Sequence, residues 1–393
     1  MPGVLEGIRV IDFGQYIAGP LAAVMLGDQG ADVIHVDPPG GPRWDHPSDA
    51  FFNRGKRRVI LDLKTPEGKQ ALYKIVARAD IFLHNFRPGV PEDLKIDYPT
   101  LRSFKPDLIY IYGSCYGSKG PWKQRPGFHS TPSAIGGAGI VDAGLGNPPR
   151  DYVFPDPAGA LGAATAMMLG LHHRDRTGEG QYLETTMINS SAYLLSGWTL
   201  QYAGKPQMPL PDKGQHGLHA LHRLYETKEG WLFLMCPEPA QWVSLVQALG
   251  LDYLATDRRF ATPEARHQND APLADALGAA LRRHGASAWA TSLLAAGVPA
   301  ARADGIDHHT FMIDDPHARA MGLSMEDMLP DGTRFWRAAP AYRFSDYETR
   351  TTSPQPIGSA TASVLREIGY TDRQIEDLHA KGVTRLAGQP VRA

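Results

Sequence analysis

The chain has 393 residues, with 40 Lys+Arg against 42 Asp+Glu; the formal net charge of −2 leaves no global field to attract nucleic acid or an anionic membrane. Two cysteines, Cys115 and Cys236, exclude a disulfide framework and any four-thiolate zinc site, and point to a reducing compartment. Hydrophobic and charged contents of 42% and 21% exclude disorder, whereas 41 glycines and 32 prolines exceed the ordinary combined share of about 12% and call for much shaped loop.

At roughly 150 residues per domain the length predicts two to three structural units. Strands are expected at Ile8–Phe13, Ala31–Asp37, Arg58–Asp62, Ile81–Asn85 and Leu108–Ser114, continuous apolar runs suited to a sheet covered on both faces. A helix over Pro20–Gln29, stopped by Gly30, joins the first two into a β-α-β unit. The next helix has Thr65 as N-cap and Pro66 in its first turn. Repetition of this unit predicts a doubly wound, Rossmann-like α/β domain. Ala158–His173 reads as a helix apolar nearly all round, and so buried. Its apolar core of 14 residues is shorter than the roughly 20 that span a bilayer, and Glu6, Arg9 and Asp12 interrupt any leader, so a cytoplasmic protein without a membrane contact is expected.

Past Gly204, three prolines in Lys205–Pro211 mark a linker. Beyond it, Leu221–Thr227 and Trp231–Cys236 flank Lys228-Glu229-Gly230 as a hairpin, followed by helices at Glu238–Leu249, Pro272–Arg283 and Ser287–Ala296, a smaller α+β unit. The tail from Gly358 to Val383 reads as two helices, the second opening on the capping pair Thr371 and Gln374. The resulting division is 1–204, a linker over 205–220, a small domain over 221–330, and a C-terminal segment over 331–393.

Several motifs fail their own tests. The turn Gly14–Pro20 lacks G-x-G-x-x-G, and no Lys-Ser/Thr follows it, which argues against dinucleotide and P-loop chemistry. Gly113-Ser114-Cys115-Tyr116-Gly117 has the form of a nucleophile elbow but runs into loop residues Ser118-Lys119-Gly120-Pro121, so Cys115 is expected to be an inert thiol. His216, His219 and His222 recur every three residues, not at the spacing of a zincin helix, and no metal is assigned. The cluster Arg54, Lys56, Arg57 and Arg58 reads as a solvated edge, with a phosphate role open. Asp156, before Pro157 at a helix start, reads on local grounds as a cap.

A wider pattern changes the reading of Asp156. The runs Leu5-Glu6-Gly7-Ile8-Arg9-Val10-Ile11-Asp12, Ala18-Gly19-Pro20, Asn53-Arg54-Gly55-Lys56-Arg57, Pro66-Glu67-Gly68, Asn85-Phe86-Arg87-Pro88-Gly89 and Thr177-Gly178-Glu179-Gly180-Gln181, in this order and spacing, resemble the class III CoA-transferases, the family that also holds α-methylacyl-CoA racemase. The resemblance implies a large domain built from both chain ends, a small domain between them, and an interlocked homodimer. It implies that Asp156 is the nucleophile of CoA transfer from an acyl-CoA to a small carboxylic acid, through an aspartyl anhydride and an aspartyl-CoA thioester, with coenzyme A as substrate and no tightly bound cofactor. It assigns Gln15, Tyr16, Ile17 and Ala18, with Leu61, Lys64, Asn85 and Phe86, to the CoA site.

Departures from the pattern matter as well. Pro38 and Asp93 stand where many relatives carry arginines, leaving Lys95, Arg87 or the Arg54–Arg58 cluster to meet the phosphates. Phe128 takes the place of the racemase histidine, and His129 follows it. On an extended segment His129 would point away from the racemase position, and a contact with the substrate carboxylate is expected of it. Glu238 matches a racemase glutamate and keeps an α-carbon racemase as the alternative, beside a catalytically silent CoA-binding protein. Phe128, His129, Tyr152, Glu238 and the 214–224 loop are expected to shape the acyl pocket.

Overall fold

The computed structural model describes residues 3–44, 46–151, 154–347, 349 and 352–386. By its internal contacts the chain forms two compact units, one of Met1–Gly136, Asp151–Thr199 and Ala320–Ala393, the other of Gly137–Arg150 and Leu200–Arg319. The stretch 137–150, which lies within the first sequence-defined segment, groups with the second unit because the Leu145 N–H donates to Pro211 O at 2.9 Å and the Asn147 amide to Lys213 O, also at 2.9 Å.

The first unit is built on six parallel strands: β1 (Arg9–Phe13), β2 (Asp32–Asp37), β3 (Arg57–Ile60), β4 (Ile81–His84), β5 (Ile109–Ser114) and β6 (Tyr182–Thr186), in the order β3-β2-β1-β4-β5-β6. Successive side chains alternate between faces. Val10, Val33, Ile81 and Ile109 meet Ala22, Ala23 and Leu26 of α1 (Ala18–Gly27) and Ala160, Ala163 and Met167 of α2 (Pro155–Thr177). Ile11, Ile34, Phe82 and Tyr110 face the other way, toward Leu72 and Ile75 of the helix Pro66–Val76 and toward the tail helices Thr361–Glu367 and Asp372–Ala380. Thr65 caps the first of these, its hydroxyl accepting from the Gly68 N–H at 3.1 Å.

Three sequence-derived expectations need correction. β6 lay unrecognised, because Tyr182, Glu184, Thr185 and Thr186 are polar or amphipathic and the strand sits at the sheet edge, where one side needs no apolar cover. α2 is not apolar on a fully buried surface: Leu161 and Leu169 are 44% and 63% exposed. It also begins at Pro155, so Asp156 lies inside its first turn, with Phe154 in the cap position.

The second unit holds an antiparallel sheet of β7 (Gly217–His219), β8 (His222–Glu226), β9 (Trp231–Met235) and β10 (Ala300–Arg302) in the order β10-β9-β8-β7. Leu232 and Leu234 pack there with Trp242, Leu245, Leu277 and Leu293 of the surrounding helices. No helix among the described residues is long and apolar enough to cross a membrane.

The tail is part of the first unit's core. Leu365, fully buried against the sheet, is expected to lower stability by about 2–5 kcal/mol when replaced by alanine. A denaturation midpoint for Leu365→Ala equal to that of the parent chain contradicts this packing.

Candidate active site

The site begins with one buried carboxylate at the end of β1. Asp12 is fully buried. Its Oδ2 accepts from Lys56 Nζ at 2.7 Å and lies 2.8 Å from His35 Nδ1, while Oδ1 accepts from the Gly14 N–H at 2.7 Å. Burial alone would raise this carboxyl; the charges of Lys56 and His35 outweigh it and hold the group well below the usual carboxylate range. Lys56 also donates to Pro20 O and Asn53 Oδ1, both at 2.9 Å. The Asp12–Lys56 pair therefore grips both ends of the loop Gly14–Pro20.

That loop turns back on itself so tightly that only glycine fits. A Cβ on Gly14 would stand 2.6 Å from Pro20 N, and one on Gly19 would stand 2.7 Å from the Gly14 Cα. Tyr16 is held in the left-handed region at φ 62°, an uncommon conformation for a bulky residue. Asn85, just after β4, fixes the loop reciprocally: its Oδ1 accepts from the Gln15 N–H and its amide donates to Gln15 O, each at 2.8 Å. Phe86 is set by a second buried group. His84, pushed down to about 3 by burial and so neutral, accepts from the Phe86 N–H through Nδ1 at 3.2 Å and meets Tyr110 OH through Nε2 at 2.9 Å.

Asp156 faces this loop. The residue is 6% exposed. Its Oδ2 lies 3.2 Å from His129 Nδ1, and the backbone of Ala18, at the start of α1, stands close enough to pull the carboxyl down. Burial raises the carboxyl above its ordinary value, against the opposite pull of His129 and the Ala18 N–H. Among the described residues no hydrogen bond ties this carboxylate to its own helix, so the local cap reading of Asp156 fails, and an imidazole stands beside it instead.

A cavity of about 410 Å³ opens on Asp156, and Gln15, Tyr16, Asn85, Phe86, Phe128 and His129 stand on its wall. A second, of about 130 Å³, is lined by Leu61, Lys64, Leu63 and Phe13, and shares Gln15, Arg43, Phe86 and Val90 with the first. Ala18 borders a smaller cleft beside them. Ile17 stands at the cap of α1, half-buried and outside these cavities. Phe128, 57% exposed, meets Tyr16 edge-on at 5.0 Å.

The remaining candidates divide. His129 reaches Asp156 because its backbone is helical (φ −45°, ψ −40°) at the start of Ser130–Ile135, so the alternation argued for an extended segment does not apply. The basic cluster is neither a solvated edge nor a free phosphate site. Arg54 pairs with Asp28 at 2.6 Å, and Arg58 with Asp37 and Asp49 at 2.8 and 2.5 Å, while Arg57 bonds Asp32 at 3.1 Å and pairs with Glu367. Arg43, which sequence reading passed over, lines both cavities; it follows a Gly-Gly-Pro turn beyond the carboxyl end of β2, where open α/β sheets place ligands. Arg87 lines the larger cavity, and Lys95 lies on neither wall.

Cys115 is on the wall too, but burial and the nearby Asp156 charge push its thiol up to about 11, and it donates to Gly127 O at 3.2 Å. Glu238 belongs to the second unit, where its N–H donates to Gln241 Oε1 at 3.1 Å at the start of Pro239–Ala248. His216 is paired with Asp212 at 3.2 Å, and among the described residues no group of three or more His, Cys, Asp or Glu is placed to hold a metal ion. Tyr152 lies outside the described residues.

The profile of CoA-transferase family III matches residues 5–361. The chain belongs to this family. It is 30% identical over 399 residues to the succinyl-CoA–D-citramalate CoA-transferase of Chloroflexus aurantiacus, covering 97% of this chain and 98% of that protein. Against the succinyl-CoA:glutarate CoA-transferase of Mus musculus the identity is 28% over 394 residues, covering 96% and 90%. Among solved structures, the orthorhombic form of Rv3272 from M. tuberculosis superposes with a TM-score of 0.80 at 28% identity, covering 91% of this chain and 98% of that one. A CAIB/BAIF family protein from Brucella suis gives 0.79 at 27%, covering 94% and 100%. The parallel central sheet is therefore a family feature.

The ion pair under the loop yields a direct test. Lys56→Met leaves the Asp12 carboxylate buried without its strongest partner and is expected to cost about 3–5 kcal/mol in a denaturant titration. An unchanged midpoint contradicts the assigned role of the pair.

Proposed function

We propose that this chain is a CoA-transferase that moves CoA from an acyl-CoA to a small carboxylic acid, with Asp156 as the covalent nucleophile. The observation that carries the reading is a buried carboxylate on the wall of a 410 Å³ cavity, with an imidazole 3.2 Å away. A carboxylate is a weak nucleophile, but it needs no base once ionised. Attack on a thioester gives an aspartyl anhydride; return of the CoA thiolate gives an aspartyl-CoA thioester and frees the first acid. Thioester energy is conserved at each exchange, so water must be kept away. Burial of Asp156 serves that end, and its raised carboxyl is the electrostatic consequence.

CoA runs in this reading from the apolar slot of Leu61, Leu63 and Phe13 to Asp156, along the wall that both cavities share. Gln15, Tyr16, Asn85 and Phe86 contribute the rigid border, with Ile17 and Ala18 continuing the loop behind it. Lys64, Arg43 and Arg87 supply the positive charge for the phosphates, since the cations at 54–58 are spent on internal pairs. The names of the relatives, which act on succinyl-CoA with glutarate or D-citramalate, support a small carboxylic acid as acceptor. The working form is an interlocked homodimer in the cytoplasm. In support, Leu161 and Leu169 on α2 and Tyr193 and Leu194 on the helix packed against it leave apolar surface uncovered.

One observation favours a second reading. The Asp156–His129 pair has the composition of an acid/base couple for proton exchange at the α-carbon of an acyl-CoA. Incubation with an acyl-CoA and a panel of free acids in deuterated water separates the two. Thioester exchange without α-deuterium is the expected result, and Asp156→Ala should abolish it while CoA still binds. Deuterium gain without exchange, or exchange by Asp156→Ala near the parent rate, overturns the proposal.

A further inference from the structure

We infer that His129 is a catalytic hydrogen-bond donor for the oxyanion that forms on Asp156 itself, a role that rests on the covalent reading above and goes beyond it. The imidazole Nδ1 stands 3.2 Å from Oδ2, and because an ionised carboxylate can only accept, the tautomer that serves it carries its proton on Nδ1. Oδ2 is thereby engaged, and Oδ1 is the oxygen left to form the bond with the acyl group.

The consequence follows from where charge develops. In the first step Oδ1 attacks the thioester carbon, negative charge gathers on the substrate oxygen, and the C–S bond breaks to release CoA thiolate; Oδ2 becomes the aspartyl carbonyl oxygen of the anhydride. In the second step the thiolate attacks Cγ of Asp156, the electron pair moves onto Oδ2, and the bond between Cγ and the bridging oxygen breaks to release the first carboxylate. In the third step the incoming carboxylate attacks Cγ of the aspartyl-CoA thioester, charge again gathers on Oδ2, and thiolate leaves. The fourth repeats the first in reverse on the new acyl group. Two of the four steps therefore load negative charge onto the one oxygen that faces Nδ1–H. A donor 3.2 Å from that oxygen is placed to stabilise both. No proton changes hands, so His129 needs no separate base.

The local structure suits a fixed donor. The Phe128 N–H donates to Thr131 Oγ1 at 3.0 Å, and the Thr131 hydroxyl donates to Phe128 O at 2.8 Å, which pins the backbone on either side of His129. The imidazole, 27% exposed, and the Asp156 side chain, 9% exposed, both stand on the cavity wall. Cys115 cannot take the place of this donor, since its thiol is turned to Gly127 O.

Two variants test the assignment with a thioester and acid pair that the unsubstituted enzyme exchanges. His129→Leu removes the donor; His129→Asn returns an amide N–H near the place of Nδ1. For His129→Leu, kcat should fall about 100- to 1000-fold with the KM for acyl-CoA unchanged, and His129→Asn should recover much of the loss. Acid-quenched intact-mass spectra of His129→Leu should show acyl-enzyme accumulating in place of aspartyl-CoA, because the first step loses least. Parent-like kcat in His129→Leu overturns the inference. So does His129→Asn as slow as the leucine variant, or a loss confined to KM. Absence of any exchange by the unsubstituted enzyme overturns the transfer reading itself, a result distinct from failure of the histidine assignment.

Discussion

The active region depends on one buried ion pair. Asp12 and Lys56 sit where water cannot screen them, and each also holds the loop between β1 and α1: Asp12 by the Gly14 N–H, Lys56 by Pro20 O. Burying two charges is costly unless geometry and additional hydrogen bonds compensate. Here the compensation is the loop itself. Fixing both of its ends sets the start of α1, at Ala18, close enough to Asp156 in another helix to pull its carboxyl down. His35, held between Asp12 and Asp37 at 2.8 and 3.4 Å, extends the same network; burial would push its imidazole down, but the two carboxylates prevail and raise it.

The sheet explains why this network lies where it does. Strand order reverses between β1 and β4, so the loops leaving these neighbouring strands diverge and leave a crevice at their carboxyl ends. Gln15 leaves β1 and Asn85 leaves β4, and their paired hydrogen bonds span that crevice. Both cavities open along it. The tail helices stiffen the opposite face, where Leu365 and Ile375 join the core beneath β3 and the helix Pro66–Val76.

Much of this was legible in the amino-acid sequence. Five of the six parallel strands are dominated by Val, Ile, Leu, Phe or Tyr, which carry their own signal, and Thr65 and Thr371 announce helix starts by type and spacing. β6 gave no such signal, being an edge strand of tyrosine, glutamate and threonine. Charged residues were harder still. Arg54, Lys56 and Arg58 look like surface cations until their partners are known, and Asp12, Asp28 and Asp37 lie 21 to 44 positions away in sequence. The direction argued for His129 assumed an extended segment, whereas its backbone is already helical at the start of Ser130–Ile135. Arg43 carries no motif of its own, and only the fold brings its turn to the mouth of both cavities.

The ion pair sets the loop, the loop sets the start of α1 beside Asp156, and the burial of that carboxylate keeps water from a reactive acyl group. The central claim is covalent: CoA becomes joined to Asp156. The most direct measurement is borohydride reduction of the enzyme during incubation with an acyl-CoA, followed by peptide mapping. Reduction of an aspartyl thioester converts Asp156 to homoserine, and that conversion, dependent on acyl-CoA, is the predicted result. An unmodified Asp156 under conditions of active exchange, or reduction at a different carboxylate, would contradict the account.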